Sequence, residues 1–207
     1  MARTLSARQV LQMKFETVRL GGGWDDCIGE VETSGVWFIW GNSGNGKTSA
    51  VVSLCKELSA FGKVLYNSRE EGVSLTMQNT LRRFGMDEVG SRFQICNLPM
   101  DELEEKISQP RGPRFIVLDS IQYMGLSYRD VRRFCEKFPT KLIIFVSRVH
   151  GRQPEGRAAT AVMYDAALKI WVEGYKAFSK GRFIGPTGQL TIWREGAMKY
   201  WEGMETR

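Results

Sequence analysis

The sequence predicts an α/β fold in which a mainly parallel sheet is flanked by helices and continued by antiparallel strands near the C-terminus. Short runs of β-branched and aromatic residues alternate with longer helical patterns along most of the chain. These runs are almost continuously apolar, which is typical of parallel strands that are covered on both faces. From residue 168 onward the segments become short and are separated by glycine, as in antiparallel hairpins.

The individual elements follow from these patterns. The predicted strands VWFIW, KVLYNS, RFQICN, FIVLDS and KLIIFVS begin at or next to residues 36, 63, 92, 114 and 141. Helical periodicity predicts helices over residues 47 to 61, 73 to 85, 101 to 108 and 127 to 138. We expect one domain over residues 1–207, with a helical N-terminal segment at 1–20 and the antiparallel extension at 168–203.

Composition narrows the class of protein without identifying it. The chain has 207 residues, 43% of them hydrophobic, and no apolar run approaches the length that spans a bilayer. Its basic N-terminus lacks the apolar core of a secretory signal, and its four cysteines are scattered, so we expect a cytoplasmic protein with reduced thiols. The net charge of +6 suits a polyanionic partner, but ordinary solvated surfaces carry similar charge.

A phosphate-binding motif stands between the first long apolar run and the first long helix. Residues 41–48 read GNSGNGKT, which is G-x-x-x-x-G-K-[ST] in a strand, loop and helix context. In this motif Lys47 reaches the β- and γ-phosphates of a nucleotide and Thr48 holds Mg²⁺. The predicted nucleotide contacts are Gly41, Asn42, Ser43, Gly44, Asn45, Gly46, Lys47, Thr48 and Ser49.

Carboxylates follow two of the other predicted strands. Asp119 ends the strand FIVLD and is the candidate second Mg²⁺ ligand, although an aspartate there could simply begin a turn or cap a helix. Glu70 and Glu71 follow the strand KVLYNS, where a carboxylate can orient or deprotonate an attacking water. The alternative is that they are solvated residues in the first turn of a helix.

Three motifs together resemble the RecA-like ATPases, in particular the branch of RadA and the DnaB-type replicative helicases. YNSREEG at 66–72 is similar to the Y-V-S-G-E-E-S segment of RadA, and the resemblance implies that Glu70 is the catalytic carboxylate. LDSIQ at 118–122 resembles the Walker B strand of that family. SKGRFIGPTGQLTIW at 179–193 resembles both the K-N-R-F-G motif of RadA and the K-x-R-x-G-P-T-G segment of DnaB. The resemblance covers residues 10 to 200 and corresponds to the motor core alone.

The resemblance also implies a role for two cations, and the sequence departs from the family pattern at a third. In that family the Lys and Arg of the last motif enter the nucleotide site of the neighbouring subunit, which assigns this catalytic role to Lys180 and Arg182. A basic hairpin tip exposed to water is the alternative. Arg148 stands where the family has a neutral γ-phosphate sensor, so the sequence departs from the pattern there. It could contact the nucleotide's phosphates, or pair instead with Asp119 or Glu70.

Two segments are predicted to face nucleic acid, because the corresponding loops of RecA-like motors face the central channel. They are residues 122 to 129 and residues 150 to 160, and the second is Gly/Pro-rich and expected to be mobile. An ordinary solvated loop would have similar composition. The candidate contact residues are Arg129, Arg152, Gln153 and Arg157. Three tryptophans in alternating patterns are predicted to be core or interface residues, namely Trp171, Trp193 and Trp201.

These observations lead to one main hypothesis and one alternative from a different class. The main hypothesis is an ATP- and Mg²⁺-dependent ATPase associated with single-stranded DNA or another nucleic acid. It would act as a homo-oligomer, a hexamer or a filament, with nucleotide sites shared between subunits. The alternative is a nucleotide-dependent assembly or interaction protein that does not move along DNA. A small-molecule kinase is disfavoured, since the sequence has no evident lid or acceptor pocket.

Overall fold

A computed structural model describes residues 4–205, with side chains described as far as Glu202. The strands are β1 (Thr17–Arg19), β2 (Glu30–Glu32), β3 (Gly35–Trp40), β4 (Val64–Ser68), β5 (Phe93–Cys96), β6 (Phe115–Asp119), β7 (Leu142–Ser147), β8 (Val149–His150), β9 (Gln153–Pro154), β10 (Leu168–Glu173), β11 (Lys176–Gly181) and β12 (Gln189–Thr191). The helices are α1 (Ala7–Leu11), α2 (Trp24–Ile28), α3 (Lys47–Leu58), α4 (Leu75–Arg83), α5 (Met100–Ser108), α6 (Ile121–Met124), α7 (Tyr128–Lys137), α8 (Arg157–Asp165) and α9 (Arg194–Glu205), and a 3₁₀ helix spans Met86–Arg92.

The main sheet has eight strands in the order β12, β11, β10, β3, β7, β6, β4, β5. The six strands from β10 to β5 are parallel, whereas β11 is antiparallel to β10 and β12 is antiparallel to β11. The predicted α/β fold with an antiparallel continuation is therefore confirmed. All five predicted apolar runs form strands of this sheet. Four of them, β3, β4, β6 and β7, lie inside the sheet and are mostly buried, as expected for strands covered on both faces, whereas β5 is an edge strand and is only partly buried.

Alternate residues of the central strands enter two separate cores. In β3, Trp37 and Ile39 belong to the core on one face of the sheet, while Phe38 and Trp40 belong to the core on the other. Helix α3 contributes to the first core, and α5, α7 and α8 contribute to the second. Burial on both faces fixes the strand register, because a shift by one residue would exchange the two sets of side chains. The register in turn aligns the strand ends that carry the candidate site.

The predicted C-terminal boundary of the antiparallel extension is wrong. The extension was predicted over 168–203, but its strands end with β12. Residues 194–205 form helix α9 instead. The glycines there suggested hairpins, but Ala197, Tyr200 and Trp201 recur at the spacing of one helix face. The backbone N–H of Ala197 donates to the carbonyl oxygen of Trp193 at 2.9 Å, which closes the first helical turn.

Two further boundaries differ from the prediction. The segment 150–160, expected to be a mobile loop, contains the β8–β9 hairpin and the first turns of α8, whose Ala159 and Val162 are buried in the second core. The helical segment predicted over 1–20 reduces to α1, and β1 then pairs with β2; residues 1–3 lie outside the described range. Within that range, no helix is long and apolar enough to cross a membrane.

Candidate functional site

The phosphate loop joins β3 to α3 at the carboxyl edge of the sheet, and its glycines are required by close contacts. A Cβ on Gly41 would overlap the carbonyl oxygen of Val172 in the adjacent strand β10. Gly46 has φ +91°, a conformation that residues with a side chain rarely adopt, and its Cα faces the ring of Tyr175. The loop can therefore follow this path only with glycine at both positions.

Helix α3 begins at Lys47 with no side chain capping its first turn, so its N-terminal N–H groups are available to an anion. The ammonium group of Lys47 donates a hydrogen bond to the carbonyl oxygen of Asn42 at 3.0 Å. Burial lowers the pKa of Lys47, and the carboxylates of Asp119 and Glu70 oppose this shift. Lys47 is half-buried rather than exposed, and its hydrogen bond stays within the loop.

A cavity of about 630 Å³ lies over this loop. It is lined by six of the nine residues predicted to contact nucleotide, and by the carboxylates predicted to hold metal or activate water. The loop residues are Ser43, Gly44, Gly46, Lys47, Thr48 and Ser49, and the acidic residues are Glu70, Glu71 and Asp119. Gly41, Asn42 and Asn45 do not line the cavity.

Asp119 is buried at the end of β6, beside the end of β4. The hydroxyl of Tyr66 donates a hydrogen bond to one carboxylate oxygen of Asp119. Burial raises the pKa of Asp119 to about 6, and the Tyr66 hydrogen bond opposes that rise. The carbonyl oxygen of Asp119 accepts from the backbone N–H groups of Arg69 and Glu70, at 2.6 and 3.3 Å, so the two strand ends are joined.

The two glutamates after β4 have different environments. The carboxylate of Glu71 accepts hydrogen bonds from the hydroxyls of Ser74 and Thr76, the first at 3.1 Å, and so belongs to the start of α4. The exposed side chain of Glu70 makes no hydrogen bond or ion pair with any described residue and lines the cavity. A free carboxylate over a phosphate loop is suited to orienting water, so the geometry favours Glu70 for that role.

The residues at the loop fit a magnesium ion that arrives with a nucleotide. The hydroxyl of Thr48 makes no hydrogen bond with the described residues, and one oxygen of Asp119 is left without a protein partner. Mg²⁺ in such sites keeps several waters and is held by one or two protein oxygens together with phosphates. Among the residues whose side chains are described, no group of three or more His, Cys, Asp or Glu side chains is placed to hold a metal ion.

One wall of the cavity was missed by sequence reasoning. The Arg83 guanidinium lies 4.0 Å from the centroid of the Trp193 ring, and the Tyr175 ring meets Trp193 edge-on at 5.0 Å. All three side chains line the cavity, and Trp193 is half-buried and belongs to neither core, so its predicted place in the core is wrong, whereas an interface role stays a prediction. Trp171 is buried as predicted, and the indole N–H of Trp201 donates to the carbonyl oxygen of Gly174 at 3.0 Å. No local sequence pattern identifies this wall, because its residues come from segments that are far apart in the chain.

The turn between β10 and β11 holds the phosphate loop in place. The backbone N–H of Gly174 donates to the side-chain oxygen of Asn45 at 2.9 Å, and the N–H of Tyr175 donates to the carbonyl oxygen of Asn45 at 3.0 Å. The side-chain amide of Asn45 also donates to the carbonyl oxygen of Ser43 at 3.1 Å. The predicted loop residue Asn45 therefore acts in the described structure as a bridge between the loop and the hairpin.

Arg148 does not adopt either of the carboxylate pairings considered from the sequence. Its Nε lies 3.4 Å from a carboxylate oxygen of Glu155, and its guanidinium lies 5.0 Å from the centroid of the Tyr123 ring. The residue does not line the cavity. Its charge nevertheless contributes to the lowered pKa of Lys47, so it lies within electrostatic reach of the loop.

The remaining predicted residues lie away from the cavity. Lys180 and Arg182 are exposed at the far end of β11, and neither lines the cavity over the phosphate loop. The candidate nucleic-acid contacts Arg129, Arg152, Gln153 and Arg157 are all exposed, with Arg129 in α7, Arg152 and Gln153 in the β8–β9 hairpin, and Arg157 at the start of α8. The fold therefore does not bring these cations to the nucleotide cavity of their own chain.

The fold resembles a solved structure closely enough to be classified. The crystal structure of a KaiC-like protein from the hyperthermophilic archaeon Pyrococcus horikoshii superimposes with a TM-score of 0.61 over 86% of this chain and 99% of that chain. The fold is RecA-like. At 15% identity this likeness concerns the fold alone and does not distinguish the RadA and DnaB branch. No family model matches the sequence, and no curated protein matches it either.

We expect Asp119→Asn to stabilise the nucleotide-free protein at neutral pH. Because the pKa of this carboxyl is raised to about 6 by burial, the wild-type protein loses stability as pH rises through the window from about 4 to 6. The neutral amide avoids that loss and can still accept from Tyr66, so we expect a gain of about 1 to 3 kcal/mol at pH 7. Denaturant unfolding without Mg²⁺ between pH 4 and 7 measures it. The wild-type and Asp119→Asn proteins should have equal free energies of unfolding near pH 4. Equal values at pH 7 would contradict a raised pKa of Asp119.

Proposed function

We propose that this protein binds ATP with Mg²⁺ and hydrolyses it, as an oligomer that associates with nucleic acid. The observation that carries this proposal is the single cavity that Lys47, Thr48, Asp119 and Glu70 line together. Each group has a role in phosphoryl transfer: a cation for the phosphates, two oxygens for the metal, and a free carboxylate for water. We also propose a cytoplasmic location, and one ATPase domain over residues 1–207.

Within this proposal the aromatic wall receives the base of the nucleotide. Trp193 and Tyr175 offer apolar ring surface beside the loop, and Arg83 adds a cation over the Trp193 ring. Aromatic and guanidinium planes stack well on nucleobases. The base would lie against this wall while the triphosphate follows the N-terminus of α3.

The proposed oligomer rests on the position of Lys180 and Arg182. Both are exposed and do not line the cavity of their own chain, although transition-state charge on a phosphoryl group calls for further cations. A neighbouring subunit could supply them, which would make hydrolysis depend on assembly. The RadA or DnaB type of motor, with single-stranded DNA held by Arg129, Arg152, Gln153 and Arg157, is the specific form that we propose.

One observation favours the second candidate, an ATP-dependent assembly protein that does not move on DNA. Arg148 is engaged with Glu155 and Tyr123 instead of lining the cavity, so one potential phosphate contact is withheld. Turnover of ATP should be measured with and without single-stranded DNA over a range of protein concentrations. Stimulation by DNA supports the motor, whereas turnover that rises with protein concentration but ignores DNA supports the assembly protein.

We expect Lys47→Ala to abolish this turnover, because the phosphates lose their main cationic partner. Loss of a charge-assisted contact in the transition state should lower the rate at least about 100-fold. The fold should persist, since the only hydrogen bond that the Lys47 side chain makes with a described residue is to the loop carbonyl of Asn42. Turnover and circular dichroism would be measured together. Undiminished turnover in a folded Lys47→Ala protein would reject the phosphate-loop assignment.

A further inference from the structure

Arg148 is held by two side chains that come from outside the nucleotide cavity. The Nε of Arg148 lies 3.4 Å from Glu155, and the guanidinium lies over the ring of Tyr123. Neither partner lines the cavity over the phosphate loop. Glu155 follows the β8–β9 hairpin and Tyr123 lies in α6, so both belong to the segments whose basic residues are candidates for nucleic-acid contact.

The backbone of Arg148 is close to the phosphate loop. Ser147, the preceding residue, pairs with Trp40 in the sheet, and Trp40 directly precedes the loop. The charge of Arg148 also contributes to the lowered pKa of Lys47. Both observations place Arg148 near the phosphate loop, although its side chain does not line the cavity.

The backbone around Arg148 is fixed, whereas its side-chain contacts are weak. The backbone N–H of Glu155 donates to the carbonyl oxygen of Arg148 at 3.0 Å. The side-chain amide of Gln122 connects the same two residues. Its oxygen accepts from the backbone N–H of Arg148 at 3.3 Å, and its nitrogen donates to the carbonyl oxygen of Glu155 at 2.8 Å. In contrast, the Nε atom is buried without a hydrogen bond. The side chains of Arg148 and Glu155 are 38% and 48% exposed, and exposed ion pairs contribute little.

A terminal phosphate would be a stronger partner than Glu155. It carries more charge, offers several acceptor oxygens and matches the fork of donors on a guanidinium. We propose that Glu155 and Tyr123 hold Arg148 back from the nucleotide cavity, and that displacing the β8–β9 hairpin releases the guanidinium to the terminal phosphate of ATP. This proposal rests on the proposed ATPase function and adds to it a restraint that a ligand of the hairpin can relieve.

Glu155→Gln tests the restraint because it removes the charge and keeps the shape. We expect basal ATP turnover to rise about fivefold to tenfold, and the affinity for ATP relative to ADP to rise about tenfold, since the released cation meets only the terminal phosphate. Tyr123→Leu should act in the same direction. The matched control is Glu136→Gln, which removes an exposed ion pair of Glu136 with Arg132 on α7 and should leave both quantities unchanged.

A double variant separates release of Arg148 from any other effect at Glu155. In the Arg148→Ala background, Glu155→Gln should no longer raise either turnover or the preference for ATP. Single-stranded DNA tests the role of the hairpin, since it should stimulate the wild-type protein more than the already released Glu155→Gln protein. A gain that persists without Arg148, or no gain in either Glu155→Gln or Tyr123→Leu, overturns the proposal. Absence of turnover in the wild-type protein, at any protein concentration, instead refutes the proposed function together with this proposal.

Discussion

We expect Glu70→Gln to bind ATP normally and to hydrolyse it at least about 100-fold more slowly than the wild-type protein, which is the range that a general base contributes. The amide keeps the size and the hydrogen-bonding capacity of the side chain but cannot take a proton from water. Because the Glu70 side chain makes no hydrogen bond or ion pair with the described residues, its replacement should leave the fold unchanged. Equilibrium binding of a fluorescent ATP analogue and single-turnover hydrolysis measure the two effects separately.

Glu71→Gln is the matched control, one residue away and with the same change of charge. Its carboxylate accepts from Ser74 and Thr76 at the start of α4, so the amide weakens that helix start. We expect a loss of stability below about 1 kcal/mol and turnover within a few-fold of wild type. If Glu71→Gln is the inactive variant and Glu70→Gln hydrolyses ATP normally, the catalytic carboxylate has been assigned to the wrong residue.

We expect Arg182→Ala and Lys47→Ala proteins, each inactive alone, to recover turnover when they are mixed. The first retains an intact phosphate loop and the second retains Arg182, so some interfaces in a mixed oligomer contain both. In a head-to-tail assembly mixed at equal amounts, about a quarter of the interfaces pair them, which sets the expected recovery near a quarter of wild-type activity. Steady-state turnover as a function of mixing ratio gives the measurement.

A shared site also predicts that specific activity depends on protein concentration. A dilute monomer has a loaded cavity without the cations of a neighbour, so specific activity should rise steeply as subunits associate. A Lys14→Ala protein, altered at an exposed lysine of the N-terminal segment that lies away from the cavity, serves as the charge-matched control. Full activity in a monomer, or no recovery in oligomers that demonstrably contain both variants, would rule out a shared site.

The strands and the phosphate loop were predictable because their signals are local. A run such as VWFIW is apolar at every position, and only a strand covered on both faces accommodates that pattern. The loop motif is contiguous, and its glycines specify a backbone path that few other residues permit, as the conformation of Gly46 illustrates. Asp119 and Glu70 were placed correctly at one edge, since parallel strands bring their carboxyl ends together.

Predictions failed where weak local signals competed with packing. In α9 the glycines suggested turns. The hydrogen bond between Trp201 and Gly174 stabilises a helix instead, because a helix places this side chain against the β10–β11 turn. In α8 the preceding Gly/Pro-rich sequence suggested a loop, while burial of Ala159 and Val162 stabilises a helix. Helices of this kind gain most of their stability from tertiary contacts.

The sequence by itself determined the α/β fold, the phosphate loop and the edge of the sheet where the acidic residues gather, because these depend on contiguous patterns and on strand direction. Only the tertiary structure decided that Glu71 supports α4 while Glu70 stays free, and that Arg148 pairs with Glu155. It also brought Trp193 and Arg83 to the cavity. These outcomes depend on contacts between residues far apart in the chain, whose relative positions are set when the helices pack on the sheet and not by any local pattern.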